Sequence, residues 1–306
     1  MKQVRCLITG SLGFIGSHLG DYLVSKGYDV VGLDNFSHPC EYKSFEHRTF
    51  PTFYADVRYQ EDLEKYIKHS DLVYHLAAQI NVDKSIEHPQ ETMDINLYGT
   101  QNVLDVCRRY KRKLIFASSS EVYGGQTDKI SEGSPTYAQS PYAVSKLAAD
   151  KLCGNYHQLY GLNVYRARMF NTFGPRQSSD TYGAVIPIFI RRVLKDLPPL
   201  IFGDGSQRRD YIYVEDVVRA YEMIPSIKSL NGEPVNIGTG ESHSILDIAN
   251  MIIKNCDKDM KPIFGEPRPG EVCKLEADIT LAKKFGFKPQ VNFEDGLKRV
   301  IEYEKK

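Results

Sequence analysis

The chain contains no tryptophan, carries no net charge, and has no apolar run approaching the roughly 18 residues that a membrane helix needs. The last absence excludes a transmembrane helix. The opening MKQVRCLITG also passes into a glycine loop too early for a signal peptide, so a cytoplasmic location is expected. Lysine plus arginine and aspartate plus glutamate each total 39, so bulk charge calls for neither nucleic acid nor an anionic membrane. A few local arginines would still suffice for a small anion. Cysteine is sparse: Cys6, Cys40, Cys107, Cys153, Cys256 and Cys273 form no C-x-x-C pair and have no histidine at metal-ligand spacing. Neither a disulfide framework nor a metal site is expected. Internal repeats and low-complexity segments are absent as well.

What is present is length and apolar content. With 306 residues and 42% hydrophobic residues, the chain can bury a large core as one globular protein with two lobes. From Val4 to about Gly174, short β-rich runs alternate with segments of helical period. The runs are VRCLITG, DVVGLD, TFYAD, DLVYHLAA, KLIFASSS and NVYRARMFN, and the helical segments include Asn96 to Tyr110 and Pro141 to Tyr160. That alternation predicts an α/β fold, a doubly wound parallel sheet covered by helices on both faces. After Gly174, closely spaced prolines break the chain into shorter pieces. The expected division is residues 1–174 and a smaller C-terminal lobe, 175–306, from which late elements rejoin the main sheet.

The first strand runs into LITGSLGFIGSHL, which places Gly10, Gly13 and Gly16 between a strand and a helix. Such a loop gives a tight turn, close backbone approach to a pyrophosphate, and a helix N-terminus whose free N–H groups face the anion. The sheet is therefore expected to be Rossmann-like, and Phe14 and Ile15, which open the helix, join the candidate contacts. The second strand ends at Asp34, 24 residues beyond Gly10, where an acid accepts ribose hydroxyls and repels a 2′-phosphate. NAD is expected over NADP. Asn35, Asp56 and Val57 are assigned to the adenosine end. Leu76, Ala77, Ala78 and Gln79, with Asn96 and Ser118, are assigned to the pyrophosphate and nicotinamide ribose.

SPYAVSK places Tyr142 and Lys146 four residues apart, on one face of a helix. A phenol of pKa about 10 is a poor base at neutral pH. A neighbouring ammonium and a positive nicotinamide ring would favour the phenolate. ASSSEVYGG supplies serine hydroxyls, Ser118, Ser119 and Ser120, at a strand end upstream, followed by Glu121.

With TGSLGFIGSHL, HLAAQ, SSSEVYG, SPYAVSK, RMFNTFGPRQ, GDGSQRRDYIYVEDVV and EPRPGE, the chain resembles the extended short-chain dehydrogenase/reductases that act on nucleotide sugars, and UDP-hexose 4-epimerases among them. The resemblance runs over nearly the whole length. It implies that Ser119 bonds the sugar O4, that Tyr142 is the acid/base, and that Lys146 is its electrostatic partner and a ribose contact. It further implies that Asn171, Arg209 and Arg268 hold the sugar-nucleotide diphosphate and that Val185 lines the base. A homodimer formed through the Asn96 to Tyr110 and Pro141 to Tyr160 helices is implied as well.

The expected reaction is 4-epimerisation of a UDP-hexose through a transient 4-keto sugar. Glu121 is the feature that points elsewhere. As a base at C5 it would make the protein a 4,6-dehydratase, and sugar-acid decarboxylases carry a similar triplet. Ser119 and Ser120 are epimerase-like, no aspartate stands at 120, and GPRQSSDTYGAVIP resembles the epimerase loop. A non-catalytic NAD-binding regulator is the remaining class, against which the intact Ser119, Tyr142 and Lys146 argue.

Overall fold

A computed structural model describes residues 3–37, 49–178, 185–267 and 272–306. Among these residues the strands are β1 (Arg5–Thr9), β2 (Asp29–Asp34), β3 (Thr52–Tyr54), β4 (Leu72–His75), β5 (Lys113–Ser119), β6 (Val164–Met169) and β7 (Asn171–Phe173). The later ones are β8 (Leu200–Phe202), β9 (Arg208–Tyr213), β10 (Pro234–Ile237), β11 (Ser242–Ser244), β12 (Ile263–Gly265) and β13 (Lys274–Leu275). Seven strands form the main sheet in the order β10-β6-β5-β4-β1-β2-β3. The six strands read from the sequence are all in it, and β10 joins from the late region.

The central strands are almost continuously buried, as expected where both faces are covered: β4 and β6 expose no residue. β1 pairs in parallel with β2 on one side and β4 on the other. The chain therefore winds outward to β3, then returns past β1 and winds the other way. That reversal opens a crevice at the C-terminal ends of β1 and β4, the place where such sheets receive ligands.

The helix Pro141–Tyr160 has the bounds its sequence signals predict. The Ser140 hydroxyl accepts the Ala143 N–H at 3.1 Å, Pro141 occupies the first turn, and Gly161 closes the helix at φ +66°. The Asn96 to Tyr110 segment is not one regular helix. A π-helical turn, Asp94–Tyr98, precedes the α-helix Gly99–Tyr110, which buries Val103, Leu104, Val106 and Cys107.

The described chain divides into two compact units, each drawn from separate stretches of sequence. The first is Met1–Val122, Ala138–Arg168 and Val218–Val235, with a core that includes Leu7, Leu33, Val73, Leu104, Phe116 and Val164. The second is Tyr123–Tyr137, Met169–Val217 and Asn236–Lys306, with a core around Phe173, Ile190, Ile201, Ile248 and Leu297. In the second unit β9 is the hub of a small sheet, flanked by β11, β13 and β7.

Candidate active site

The glycine loop is built so that backbone meets backbone. A Cβ on Gly10, at φ +70°, would stand 2.7 Å from the Ala77 nitrogen, and one on Gly16 would stand 2.1 Å from the Gly10 carbonyl oxygen. These glycines close the loop against the end of β4 and against the following helix. Gly13 differs: a Cβ there would meet only the Gly10 oxygen, at 3.2 Å. Gly13 is the N-cap of the helix Phe14–Ser25 and offers no side chain to the first-turn N–H groups of Phe14, Ile15 and Gly16. An uncapped helix start at a glycine, with no side chain over its first-turn N–H groups, fits a pyrophosphate.

Asp34 ends β2, where its carboxylate accepts the Leu12 and Phe36 N–H groups, both at 2.9 Å, and so ties the glycine loop to the strand end. Asp56 is buried and forked by Arg58, with Nη2 at 2.6 Å and Nε at 3.0 Å; its other neighbour is the Asn35 amide at 3.3 Å. This pairing holds the Asp56 carboxyl below its ordinary range against its burial. Val57 belongs to the core and packs over Gly99. After β4, the backbone of Leu76, Ala77 and Ala78 borders the crevice, and the Ala77 N–H reaches the Thr9 hydroxyl at 3.3 Å.

Gln79 and Asn96 grip each other. The Asn96 amide accepts the Gln79 N–H at 2.8 Å, donates to its carbonyl at 2.9 Å, and donates to the Ser145 hydroxyl at 2.9 Å. The Gln79 side chain is in turn bonded to Asn81 and Thr92. Both residues thus fasten the β4 loop to the π-helical turn, and Asn96 reaches on to the Tyr142-bearing helix.

Hydrogen-bond bookkeeping also fixes His75 beneath this loop. The Thr100 hydroxyl donates to the Asn96 carbonyl at 2.6 Å, so it accepts from His75 Nε2 at 3.0 Å, and Nδ1 then accepts the Thr9 hydroxyl at 2.7 Å. His75 is a neutral imidazole: burial, then the nearby Lys146 ammonium, drives its pKa down to about 3.

Tyr142 and Lys146 lie one turn apart on the Pro141–Tyr160 helix, and both are buried. The Ser119 hydroxyl at the end of β5 lies beside the Tyr142 phenol, favours its ionised form, and accepts the Glu121 N–H at 3.2 Å. Burial pushes the phenol up to about 12, against the effect of the neighbouring Ser119 hydroxyl, and the Glu121 carboxylate adds to the rise. Burial also brings Lys146 down to about 8, with its ammonium 4.9 Å from the centre of the Phe116 ring. The strongest forces on the tyrosine are thus burial, Ser119 and Glu121, where the sequence had suggested the lysine.

Ser120 is buried beside Ser119 at the start of the short helix Ser120–Tyr123. Ser118 donates to the Asp150 carboxylate at 2.7 Å.

In the second unit, Asn171 stands opposite Tyr211 in the parallel β7–β9 pairing, and Arg209 is two residues before Tyr211. The pleat therefore puts Asn171 and Arg209 on one face of that sheet. The Asn171 Oδ1 is buried and has no hydrogen-bond partner among the described residues, an acceptor still to be satisfied. Arg209 is half-buried and donates to the Arg208 carbonyl at 3.0 Å. Val185 opens the helix Val185–Leu194. Arg268 and Cys40 lie outside the described residues. Among those residues no cluster of histidine, cysteine or acidic side chains is arranged to hold a metal.

Sequence reasoning missed the polar groups beneath the site: His75, Thr9, Thr100, Ser145, and the cluster of Asp150, Arg166 and Arg168. The signal available was an arginine pair at alternate positions inside VYRARM, an apolar strand that buries all six residues.

Comparison with known proteins agrees with this geometry. The family model described as GDP-mannose 4,6 dehydratase matches residues 7–300. A Methanocaldococcus jannaschii protein with a provisional UDP-glucose 4-epimerase name is 38% identical over 304 residues, 98% of each chain. The UDP-N-acetyl-alpha-D-glucosaminuronate decarboxylase of Bacillus cytotoxicus is 36% identical and covers 99% of this chain and 98% of its own. The crystal structure of the UDP-glucuronic acid 4-epimerase of Bacillus cereus, with UDP-glucuronic acid and NAD, superposes with a TM-score of 0.92 at 36% identity, over 99% of each chain.

Proposed function

The chain belongs to the GDP-mannose 4,6 dehydratase family of NAD-dependent epimerases and dehydratases, and from that premise we propose that it is an NAD-dependent nucleotide-sugar 4-epimerase acting on a UDP-hexose. The observation that carries this reading is that Ser119, at the end of β5, stands beside the buried Tyr142 phenol, with Lys146 one turn further along the same buried helix face. The relatives carrying epimerase names match essentially the whole length of the chain.

The residues fit the dinucleotide. Gly13 puts no side chain at an uncapped helix start, and Asp34 marks the end of β2. When bound, NAD would supply a hydride acceptor for the sugar C4 and a positive ring. Ser119 would hold the sugar O4, and Tyr142 would take its proton and later return it. The buried Lys146 ammonium keeps cationic charge beside the helix face from which the phenol acts. Asn171 and Arg209 would take the diphosphate of the sugar nucleotide; the unsatisfied Asn171 acceptor suits a hydroxyl or imide donor of the same ligand.

One observation favours a second reading. The Glu121 carboxylate, two residues after Ser119, acts electrostatically on the Tyr142 phenol, and a decarboxylase is among the relatives. A panel of UDP-hexoses and UDP-hexuronates, followed by NMR, separates the readings. The expected result is inversion at C4 without deuterium uptake at C5 or loss of carbon dioxide. Tyr142→Phe should lower turnover roughly 1,000-fold with NAD still bound. Glu121→Gln should keep most activity. Because the carboxylate raises the phenol's pKa, its loss should move the rise of kcat/KM with pH to lower pH. Abolished turnover in Glu121→Gln, with C5 exchange in the parent, would establish the dehydratase instead.

The helices of the first unit expose Val144, Leu159, Tyr160 and Tyr98, apolar surface that supports a homodimer, which sedimentation would show. The thiols of Cys6, Cys107, Cys153, Cys256 and Cys273 are unpaired, which supports a reducing, cytoplasmic compartment.

A further inference from the structure

Asp150 lies one turn beyond Lys146 and two beyond Tyr142, on the same helix face, and it is fully buried. Its carboxylate receives four donors. Oδ2 accepts the Ser118 hydroxyl at 2.7 Å and Arg168 Nε at 3.1 Å, while Oδ1 accepts Arg166 Nη1 and Arg168 Nη2, each at 2.9 Å. A carboxylate has about four acceptor sites, so this one is filled and cannot shift without breaking a bond. Arg166 and Arg168 belong to β6, Ser118 to β5, and Asp150 to the helix that carries the acid/base pair. Arg166 also donates to the carbonyls of Asp150 and Gly232.

The helix is shaped to admit this cluster. Gly154 stands in its interior, where glycine weakens a helix, and a Cβ there would press on the Arg166 guanidinium carbon at 3.3 Å. Buried ion clusters contribute little net stability compared with apolar packing, so their retention points to what they fix in place. Here they fix two adjacent serines. Ser118 is fastened to Asp150, and its neighbour Ser119 meets the phenol eight residues earlier on the same helix.

We propose that Asp150 is a positioning residue: through Ser118, and braced by Arg166 and Arg168, it sets the spacing between the Ser119 strand end and the Tyr142–Lys146 helix face. It touches neither sugar nor cofactor and acts by holding those that do. The catalytic side of this role rests on the epimerase reading; the holding itself does not.

The test uses Ser118→Ala, which removes the strand-side bond and leaves every charge paired, together with Asp150→Asn. In Ser118→Ala, kcat should fall roughly 10- to 100-fold, the cost of a misplaced reacting group. KM for the sugar nucleotide and the amount of NAD carried by the purified protein should stay at parent values. Asp150→Asn should be more impaired, and if it fails to fold, Ser118→Ala carries the test alone. Amide exchange in the resting protein should quicken at residues 117–121 and 142–146 and nowhere else. Unchanged kcat, or a matching loss of NAD and rise in KM, would overturn the catalytic role. Unchanged exchange at those amides would overturn the clamp itself. If the parent protein turns over no nucleotide sugar, the epimerase reading fails, and the exchange measurement still decides the clamp.

Discussion

Tyr142 and Lys146 are held under opposing pressures, because burial penalises whichever form is charged: the phenol is driven up to about 12 and the ammonium down to about 8. The same burial makes His75 a measurable handle. Its imidazole is neutral in the fold, with a pKa depressed to about 3 from the ordinary 6.5, whereas an unfolded chain would protonate it below 6.5. Its contribution to stability is therefore complete above pH 6.5 and is lost as pH falls toward 3, by at most about 1.4 kcal/mol per pH unit. Urea unfolding at pH 7, 6 and 5 should show the parent protein losing more than His75→Asn by about that slope; parallel losses would refute it. The candidate site residues were legible because their spacing carries chemistry, as in Tyr142 with Lys146 or Ser119 before Glu121. Asp150, Arg166 and Arg168 were not, because a charged side chain in a one-dimensional string reads as solvent-facing until a partner elsewhere in the chain makes its burial tolerable.

At the scale of elements, the glycine loop separates folding from binding. Gly16→Ala would drive a methyl group into the Gly10 carbonyl and should cost about 3 kcal/mol, read as a lowered melting temperature. Gly13, at φ −69°, already has a backbone open to alanine and a single contact at 3.2 Å. Gly13→Ala should therefore change stability by no more than about 1 kcal/mol while reducing the NAD retained on purification. Equal melting temperatures for the two variants would contradict this division. The long helices and buried strands were readable from the string, since Ser140-Pro141 and Gly161 mark one helix and unbroken apolar runs mark the sheet. The pieces of the second unit were not. Strands such as β7, β11 and β13 span only two or three residues and exist by virtue of pairing with β9, which no local pattern announces. The π-helical turn was hidden too, because one residue added to a helical turn leaves the apolar rhythm almost unchanged.

On the scale of the whole molecule, periodicity showed where regular segments occur along the chain but not which of them return. Nothing local tells that residues 218–235 belong with the first unit, where Glu222 accepts a hydrogen bond from the Tyr28 hydroxyl at 3.0 Å. The edge position of β10 follows from the same return. A fragment ending at residue 174 would leave the ribosome with β6 as a bare flank, its carbonyls and amides open to any passing chain. Such a fragment should gather into large aggregates by light scattering, whereas one reaching past residue 237 should scatter far less. The nascent protein therefore cannot finish its dinucleotide half until three-quarters of its length has been synthesised, and in that interval a chaperone has an unfinished sheet to guard.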